Sequence, residues 1–151
     1  MNKWSNEAWT AAASIYTQII DLPFVRGLAD GSLSHERFMH YITQDSLYIG
    51  EYFRVLSHIA SRLGTSSHAA DFVAFAADGV AVEKALHESY ISLSDRKETA
   101  MSPACMLYTS ILKAQSYAPV EVEAAAVLPC FWVYQRVGET IYNACTDRTS
   151  P

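Results

Sequence analysis

The sequence predicts an all-helical domain. Apolar residues recur at three- and four-residue steps through most of the 151 residues, and no stretch shows the two-residue alternation of a half-buried strand. A chain of this length buries roughly 68 to 70 per cent of its unfolded surface, which is enough for a core without disulfides or a structural metal. We therefore expect residues 1–151 to form a single domain of about five helices.

Composition narrows the class of protein. The formal net charge is −5 and basic residues are scattered singly, so the chain offers no cationic face to nucleic acid or to an anionic membrane. Three cysteines, an odd number, favour free thiols in a reducing compartment, so we expect a cytoplasmic protein. The N-terminal residues are too polar for a signal peptide, and the longest apolar run, 124–134, is far shorter than the ~20 residues that span a bilayer.

The first predicted helix is followed by a segment that we expect to be a turn. Apolar side chains at helical spacing place this helix at about residues 5–20. From residue 24 to residue 34 the chain contains Gly27 and Gly31, which favour a turn. Ser34 is then a suitable N-cap for the second helix.

The second predicted helix carries the most informative residue. Its apolar stripe repeats with a period of about 3.6 residues, through Phe38, Tyr41, Ile42, Asp45, Tyr48, Ile49, Tyr52, Val55, Leu56, Ile59 and Leu63. Burying the ionised carboxylate of Asp45 without a partner would cost several kcal/mol. Either Asp45 bonds a neighbouring helix and fixes packing, or it lines a polar, aromatic pocket. Such a pocket suits a flat heteroaromatic ligand with amino groups.

Two residues of the third helix suggest a metal site. Glu83 and His87 lie four residues apart on one face, and Asp45, His40 or His58 could add ligands to a di-iron centre. Di-iron bundles usually carry Glu-x-x-His, with three-residue spacing, in two copies. Because no second copy is present, a hydrogen bond between Glu83 and His87 is the favoured interpretation.

The remaining helices are predicted at about residues 68–93, 103–116 and 119–144. A break is predicted in the first of them near Gly79. The second begins at Ser102, a capping serine that is followed by proline at the first helical position. The third has two glutamates in its first turn, where negative charge stabilises a helix.

The last helix contains a candidate nucleophile. Pro129 donates no hydrogen bond and crowds the carbonyl four residues back, so we expect a kink that opens space beside Cys130. Tyr134 follows four residues later and therefore lies on the same face. A thiol and a phenol would then point into one space. The alternative is that Cys130 packs as a small apolar residue.

Several motifs occur together in a fixed order along the chain. They are Asp21-Leu-Pro-Phe-Val-Arg-Gly-Leu, Phe38-x-x-Tyr41-x-x-Gln44-Asp45-x-x-Tyr48, Glu83-x-x-x-His87, Ser102-Pro103 with Tyr108-Thr109, and Leu128-Pro129-Cys130-x-Trp132-x-Tyr134. This pattern resembles the TenA family (thiaminase II, aminopyrimidine aminohydrolase). The resemblance implies a heme-oxygenase-like helical bundle, usually a homotetramer, without a metal or an organic cofactor. It also implies hydrolysis of 4-amino-5-aminomethyl-2-methylpyrimidine to the hydroxymethyl compound and ammonia in thiamin salvage, with cleavage of thiamin itself in some members.

The resemblance assigns the site residues by position. Cys130 matches the nucleophile that adds to the pyrimidine ring, and Tyr48 matches a tyrosine that makes the thiol more nucleophilic. Asp45 matches the residue that binds the aminopyrimidine, and Tyr134 and Tyr108 match pocket tyrosines. Because a thiol with a pKa near ~8.5 is only a few per cent thiolate at neutral pH, a hydrogen-bond donor such as the Tyr48 hydroxyl suits this chemistry.

One part of the family pattern has no match in this sequence. Family members usually continue with a Tyr-x-x-Trp helix and a glutamate that protonates the departing amine, so we expect a TenA-like domain without the usual C-terminal helices. Glu83 and Glu139 are the nearest internal acids, and Cys105 and Cys145 are expected to be packing residues. Two alternatives stay open: a non-catalytic pyrimidine-binding or regulatory relative, and a metal-dependent oxidase.

Overall fold

The computed structural model of the chain describes residues 3–90 and 100–144, with side chains over 4–85 and 100–144. Over these residues it contains six α-helices, one 3-10 turn at Gln115–Tyr117 and no strand, which confirms the all-α prediction. The helices are α1 (Lys3–Ile20), α2 (Pro23–Asp30), α3 (His35–Arg62), α4 (Ser66–Tyr90), α5 (Pro103–Ala114) and α6 (Val120–Ala144). Within the described ranges, no helix is both long and apolar enough to cross a membrane.

The segment predicted as a turn at 24–34 is largely helical, so that prediction was wrong. Helix α2 begins at Pro23, whose fixed φ suits the first helical position. It ends at Gly31, which has a φ of 75° and closes the helix in the left-handed conformation. Gly27 lies inside the helix because the backbone of Leu33 approaches it, and an added Cβ would lie 3.3 Å from Leu33 Cα. Glycine here permits close packing between two chain segments. The sequence analysis took it for a turn residue instead.

The other helices begin close to their predicted positions, while the end predicted for α4 at residue 93 lies outside the described residues. Ser102 caps α5 as predicted, since its hydroxyl accepts a hydrogen bond of 3.3 Å from the backbone N–H of Cys105. Helix α6 continues through Pro129. Helix α4 also continues through Gly79, so the break predicted there was wrong. A Cβ at Gly79 would lie 3.9 Å from the side chain of Ile49 on α3, which is an ordinary contact distance. A single glycine costs a helix only about 1 kcal/mol relative to alanine, so the turns on either side carry α4 through it.

The chain divides into two compact units, Met1–Ser34 with Pro129–Pro151, and His35–Leu128. In the first unit, the ring of Trp9 on α1 lies 5.2 Å from the ring of Tyr16 and 5.1 Å from that of Trp132. The Tyr16 hydroxyl donates to the carbonyl of Arg136 at 3.0 Å. This aromatic cluster joins α1 to the C-terminal part of α6.

The second unit is built around α3. The buried side chains of α3 are Ile42, Tyr48, Tyr52, Val55, Leu56, Ile59 and Ala60, all but Ala60 belonging to the predicted apolar stripe. They are joined in the core by Ala76 of α4, Leu112 of α5 and Val127 of α6. Most of the core of this unit therefore comes from one helix, which packs against α4 and α5.

A buried carboxylate ties the end of α3 to the start of α6. Glu123 is only 1% exposed, and its Oε1 lies 2.8 Å from Nδ1 of His58. Arg62 donates from Nη1 to Oε2 of Glu123 at 2.5 Å and from Nη2 to the carbonyl of Ala118 at 2.6 Å. The sequence analysis placed this glutamate only in the first turn of a helix and missed its burial.

We predict that removing Arg62 destabilises the protein strongly, because Glu123 then remains buried without its cation. Arg62→Met should lower the free energy of unfolding by about 3 kcal/mol, as measured by urea denaturation. The control is Arg26→Met, which removes a pair with Asp21 in which both side chains are more than half exposed. That pair should contribute less than about 1 kcal/mol, and equal losses in the two variants would contradict the prediction.

Candidate functional site

A column of three tyrosine rings stands between α3 and α5. The ring of Tyr48 stacks on that of Tyr108, with centroids 5.6 Å apart and an interplanar angle of 13°. The ring of Tyr48 also stacks on that of Tyr52, with centroids 5.2 Å apart. The hydroxyl of Tyr52 donates a buried hydrogen bond of 2.8 Å to the carbonyl of Val127 on α6. The column therefore has a fixed base on α6 and ends in the partly exposed ring of Tyr108.

Helices α3 and α5 run parallel past this column. Contacts advance in the same direction along both helices: Gln44 with Ser102, Tyr48 with Tyr108, and Glu51 with Lys113. Asp45 lies one turn before Tyr48 on α3. The structure thus brings three of the predicted site residues, Asp45, Tyr48 and Tyr108, into one region of the second unit.

The carboxyl group of Asp45 has a raised pKa. Its side chain is half-buried, and this burial raises its pKa from 3.8 to about 6. The pKa of the Cys105 thiol is also raised, first by burial and then by the charge of Asp45. Cys105 therefore stays protonated at neutral pH. The sequence analysis expected Cys105 to be a packing residue and missed that it lies close to Asp45.

The two other predicted site residues lie on α6 in the first unit. Cys130 is half-buried, and Tyr134, one turn later, is 54% exposed. Between them, Trp132 packs against Trp9. The helical spacing inferred from the sequence is therefore present, with Cys130 and Tyr134 on the same side of the helix.

Gln44 is a residue whose contacts the sequence analysis missed. Its side-chain Nε2 donates to the carbonyl of Ala100 at 3.2 Å, and its Oε1 accepts from the backbone N–H of Ser102 at 2.7 Å. These partners lie 56 and 58 residues further along the chain. No local pattern could reveal such a contact.

The residues of the metal hypothesis are only partly described. Glu83 accepts a hydrogen bond of 3.2 Å from the hydroxyl of Ser46 on α3, while the side chain of His87 lies outside the described residues, as does Cys145. His58, another candidate ligand, bonds Glu123. Among the described side chains, no group of three or more His, Cys, Asp or Glu could hold a metal ion.

The motifs and the helical fold can now be compared with known proteins. Residues 9–151 match the model of the TENA/THI-4/PQQC family. The chain belongs to this family. The resemblance noted in the sequence is thereby confirmed.

The similarity to individual members of the TENA/THI-4/PQQC family extends over most of the chain. The thiamine biosynthesis multifunctional protein ThiED of Corynebacterium efficiens is 39% identical over 138 residues, which are 89% of this chain and 19% of that relative. The aminopyrimidine aminohydrolase of Bacillus subtilis is 33% identical over 147 residues, which are 93% of this chain and 62% of the enzyme. The solved TenA homologue protein from P. horikoshii OT3 has a TM-score of 0.81 at 28% identity and covers 93% of this chain and 68% of that one. The chain thus spans less than two thirds of the length of either of these curated relatives.

We predict that Asp45→Asn stabilises the protein at neutral pH. Because the pKa of Asp45 is higher in the folded state, its ionisation costs stability as the pH rises from about 4 to about 6, and this cost persists at higher pH. At pH 7.5 the variant should unfold roughly 2–4 °C above the unaltered protein, and the difference should shrink at pH 4. Differential scanning calorimetry at both pH values measures this.

Asp30→Asn is the control of opposite sign. Hydrogen bonds from Ser32 lower the pKa of Asp30, so its ionised form stabilises the folded state at neutral pH and this contribution is lost in acid. Asp30→Asn should give no stabilisation at pH 7.5. An equal gain in both variants would show that the effect of Asp45→Asn is a general effect of removing negative charge.

Proposed function

We propose that this chain hydrolyses 4-amino-5-aminomethyl-2-methylpyrimidine to the hydroxymethyl compound and ammonia in thiamin salvage, with thiamin as a further substrate. The half-buried carboxylate of Asp45 beside stacked tyrosines carries this proposal. The chain's membership of the TENA/THI-4/PQQC family supports the proposal, as does the name of its Bacillus subtilis relative, aminopyrimidine aminohydrolase.

Asp45 and the tyrosine column suit recognition of an aminopyrimidine. Near neutral pH the carboxylate of Asp45, with its pKa of about 6, is mostly ionised and accepts hydrogen bonds. The amino group of the pyrimidine is a donor that would offset the cost of burying this charge. The ring of Tyr108 is 38% exposed, so part of it is open to a flat ligand.

Cys130 is the proposed nucleophile. Addition of its thiolate to a ring carbon of the pyrimidine interrupts the aromatic system and pushes an electron pair toward the exocyclic carbon–nitrogen bond. That bond breaks as the nitrogen takes a proton, and ammonia leaves. Water then adds to the exocyclic methylene and loses a proton, and expulsion of the thiolate restores the aromatic ring. In this proposal Tyr48 favours the thiolate, and Tyr134 lines the pocket.

Departure of the amine needs an acid. Of the two internal candidates, Glu139 accepts hydrogen bonds from Gln135 at 3.3 Å and Arg136 at 3.5 Å on its own helix. Glu83 instead reaches across to Ser46, the residue after Asp45. We therefore favour Glu83 as the proton donor within these residues.

The proposed reaction predicts a sharp difference between two cysteines. Cys130→Ala should lower ammonia release from the aminomethylpyrimidine by at least about a thousandfold, because the covalent step is lost. Cys105→Ala, which removes a protonated thiol, should retain activity within about tenfold of the unaltered chain. A coupled ammonia assay and chromatography of the hydroxymethyl product measure both variants.

Two outcomes would contradict the enzyme proposal. Equal activity in the two cysteine variants would remove Cys130 from the mechanism. Absence of turnover in the unaltered chain, together with saturable binding of the pyrimidine, would favour the non-catalytic binding relative.

We also propose that the protein is cytoplasmic and assembles as a homotetramer, as the resemblance implies. Three apolar side chains of α5, Met106, Leu107 and Ile111, are 55%, 63% and 48% exposed, and contact between copies would bury them.

Light scattering after size exclusion should give about four times the chain mass of 16.8 kDa. Leu107→Asp should shift the protein to smaller species, while Ser67→Asp, on an exposed polar residue in the first turn of α4, is the control. A monomer at micromolar concentration would contradict the tetramer.

A further inference from the structure

We infer that Gln44 is a positioning residue for the pyrimidine, because its side-chain amide holds the start of α5 against α3. This contact sets the distance between Asp45 on α3 and the α5 wall that carries Cys105 and Tyr108. The inference rests on the proposed function. In this inference Gln44 does not contact the pyrimidine itself and instead raises affinity by positioning Asp45 and Tyr108.

The geometry of the amide is specific. Gln44 donates from Nε2 to the carbonyl of Ala100 at 3.2 Å and accepts at Oε1 from the N–H of Ser102 at 2.7 Å. A backbone carbonyl can only accept and a backbone N–H can only donate, so the two partners fix the orientation of the amide. The side chain thus pairs with the backbone on both sides of Met101, much as a neighbouring strand would.

The position of Ser102 controls the first turn of α5. Its hydroxyl accepts from the N–H of Cys105 at 3.3 Å, and its carbonyl accepts from the N–H of Met106 at 2.9 Å. The Sγ of Cys105 lies 3.7 Å from the backbone carbonyl of Gln44. Both the side chain and the backbone of Gln44 therefore contact this first turn.

The same turn leads directly to the proposed binding surface. Tyr108 follows Cys105 by three residues and stacks on Tyr48, while Asp45 directly follows Gln44 on α3. A flat ligand that bonds Asp45 and contacts the ring of Tyr108 needs both helices in register. Two hydrogen bonds from Gln44 restrain that register before the ligand arrives, which reduces the entropy lost on binding.

Gln44→Met is the direct test. Methionine has a similar length but can neither donate to Ala100 nor accept from Ser102. All variants are measured in a Cys130→Ala background, which should bind 4-amino-5-aminomethyl-2-methylpyrimidine without turning it over. We expect its dissociation constant, measured by isothermal titration calorimetry, to rise about tenfold. The matched control is Gln115→Met. The amide of Gln115 donates to the carbonyl of Ile111 in the preceding helical turn, at 3.1 Å, so this variant should leave the dissociation constant unchanged.

A second variant separates positioning from stability. Arg62→Met, 18 residues further along α3 than Gln44, removes the ion pair with Glu123 and should lower the unfolding temperature, but it leaves both hydrogen bonds of Gln44 in place. Its dissociation constant should stay within about twofold of that of the unaltered chain, even if its loss of stability exceeds that of Gln44→Met. If affinity instead follows the unfolding temperature across both variants, Gln44 is only a structural residue and the inference is overturned.

The experiment also distinguishes this inference from the proposed function. If the unaltered chain binds the pyrimidine and Gln44→Met binds it equally well, the inference about Gln44 fails while the proposed function stands. If the unaltered chain shows no binding, the proposed function fails for these residues and the inference fails with it.

Discussion

The parallel packing of α3 and α5 is the constraint on which the second unit depends. Parallel neighbours need a connection that returns along their length, and α4 provides it by packing on α3. The stack of Tyr48 on Tyr108 then fixes how the two helices face each other. The buried hydrogen bond from Tyr52 to Val127 extends the same column to α6. One set of aromatic contacts thus stabilises the core and also defines the surface next to Asp45.

Two carboxylates in this unit illustrate opposite solutions to burial. Glu123 is almost fully enclosed, but Arg62 and His58 supply its hydrogen bonds, so the ion pair serves to join α3 to α6. The burial of Asp45 is not offset in this way, as its raised pKa shows. The ionised form of Asp45 therefore carries a cost that a donor from a ligand would reduce. This difference separates a structural carboxylate from a candidate binding carboxylate more clearly than burial alone does.

Periodic and local features could be predicted from the sequence, and contacts between distant residues could not. The stripe of α3 identified Asp45 as an exception on an apolar face, and Ser102-Pro103 marked the start of α5, because both signals lie within a few turns. No local signal marks the role of Gln44, since its partner Ala100 is 56 residues away. In the sequence analysis Gln44 appeared only as one residue of a family motif. Glycine misled in a related way. Gly27 lies against the backbone of Leu33, so packing explains it, and Gly79 lies within a helix that continues without a break.

The charge of Asp45 also affects the reactivity of Cys105. A negative charge close to Cys105 disfavours its thiolate, and burial acts in the same direction. The feature that suits Asp45 to an amino group therefore makes Cys105 a poor nucleophile. Proximity to the candidate binding carboxylate is thus not an argument for nucleophilic function. A nucleophilic cysteine needs a donor that favours its anion, and the charge of Asp45 does the opposite for Cys105.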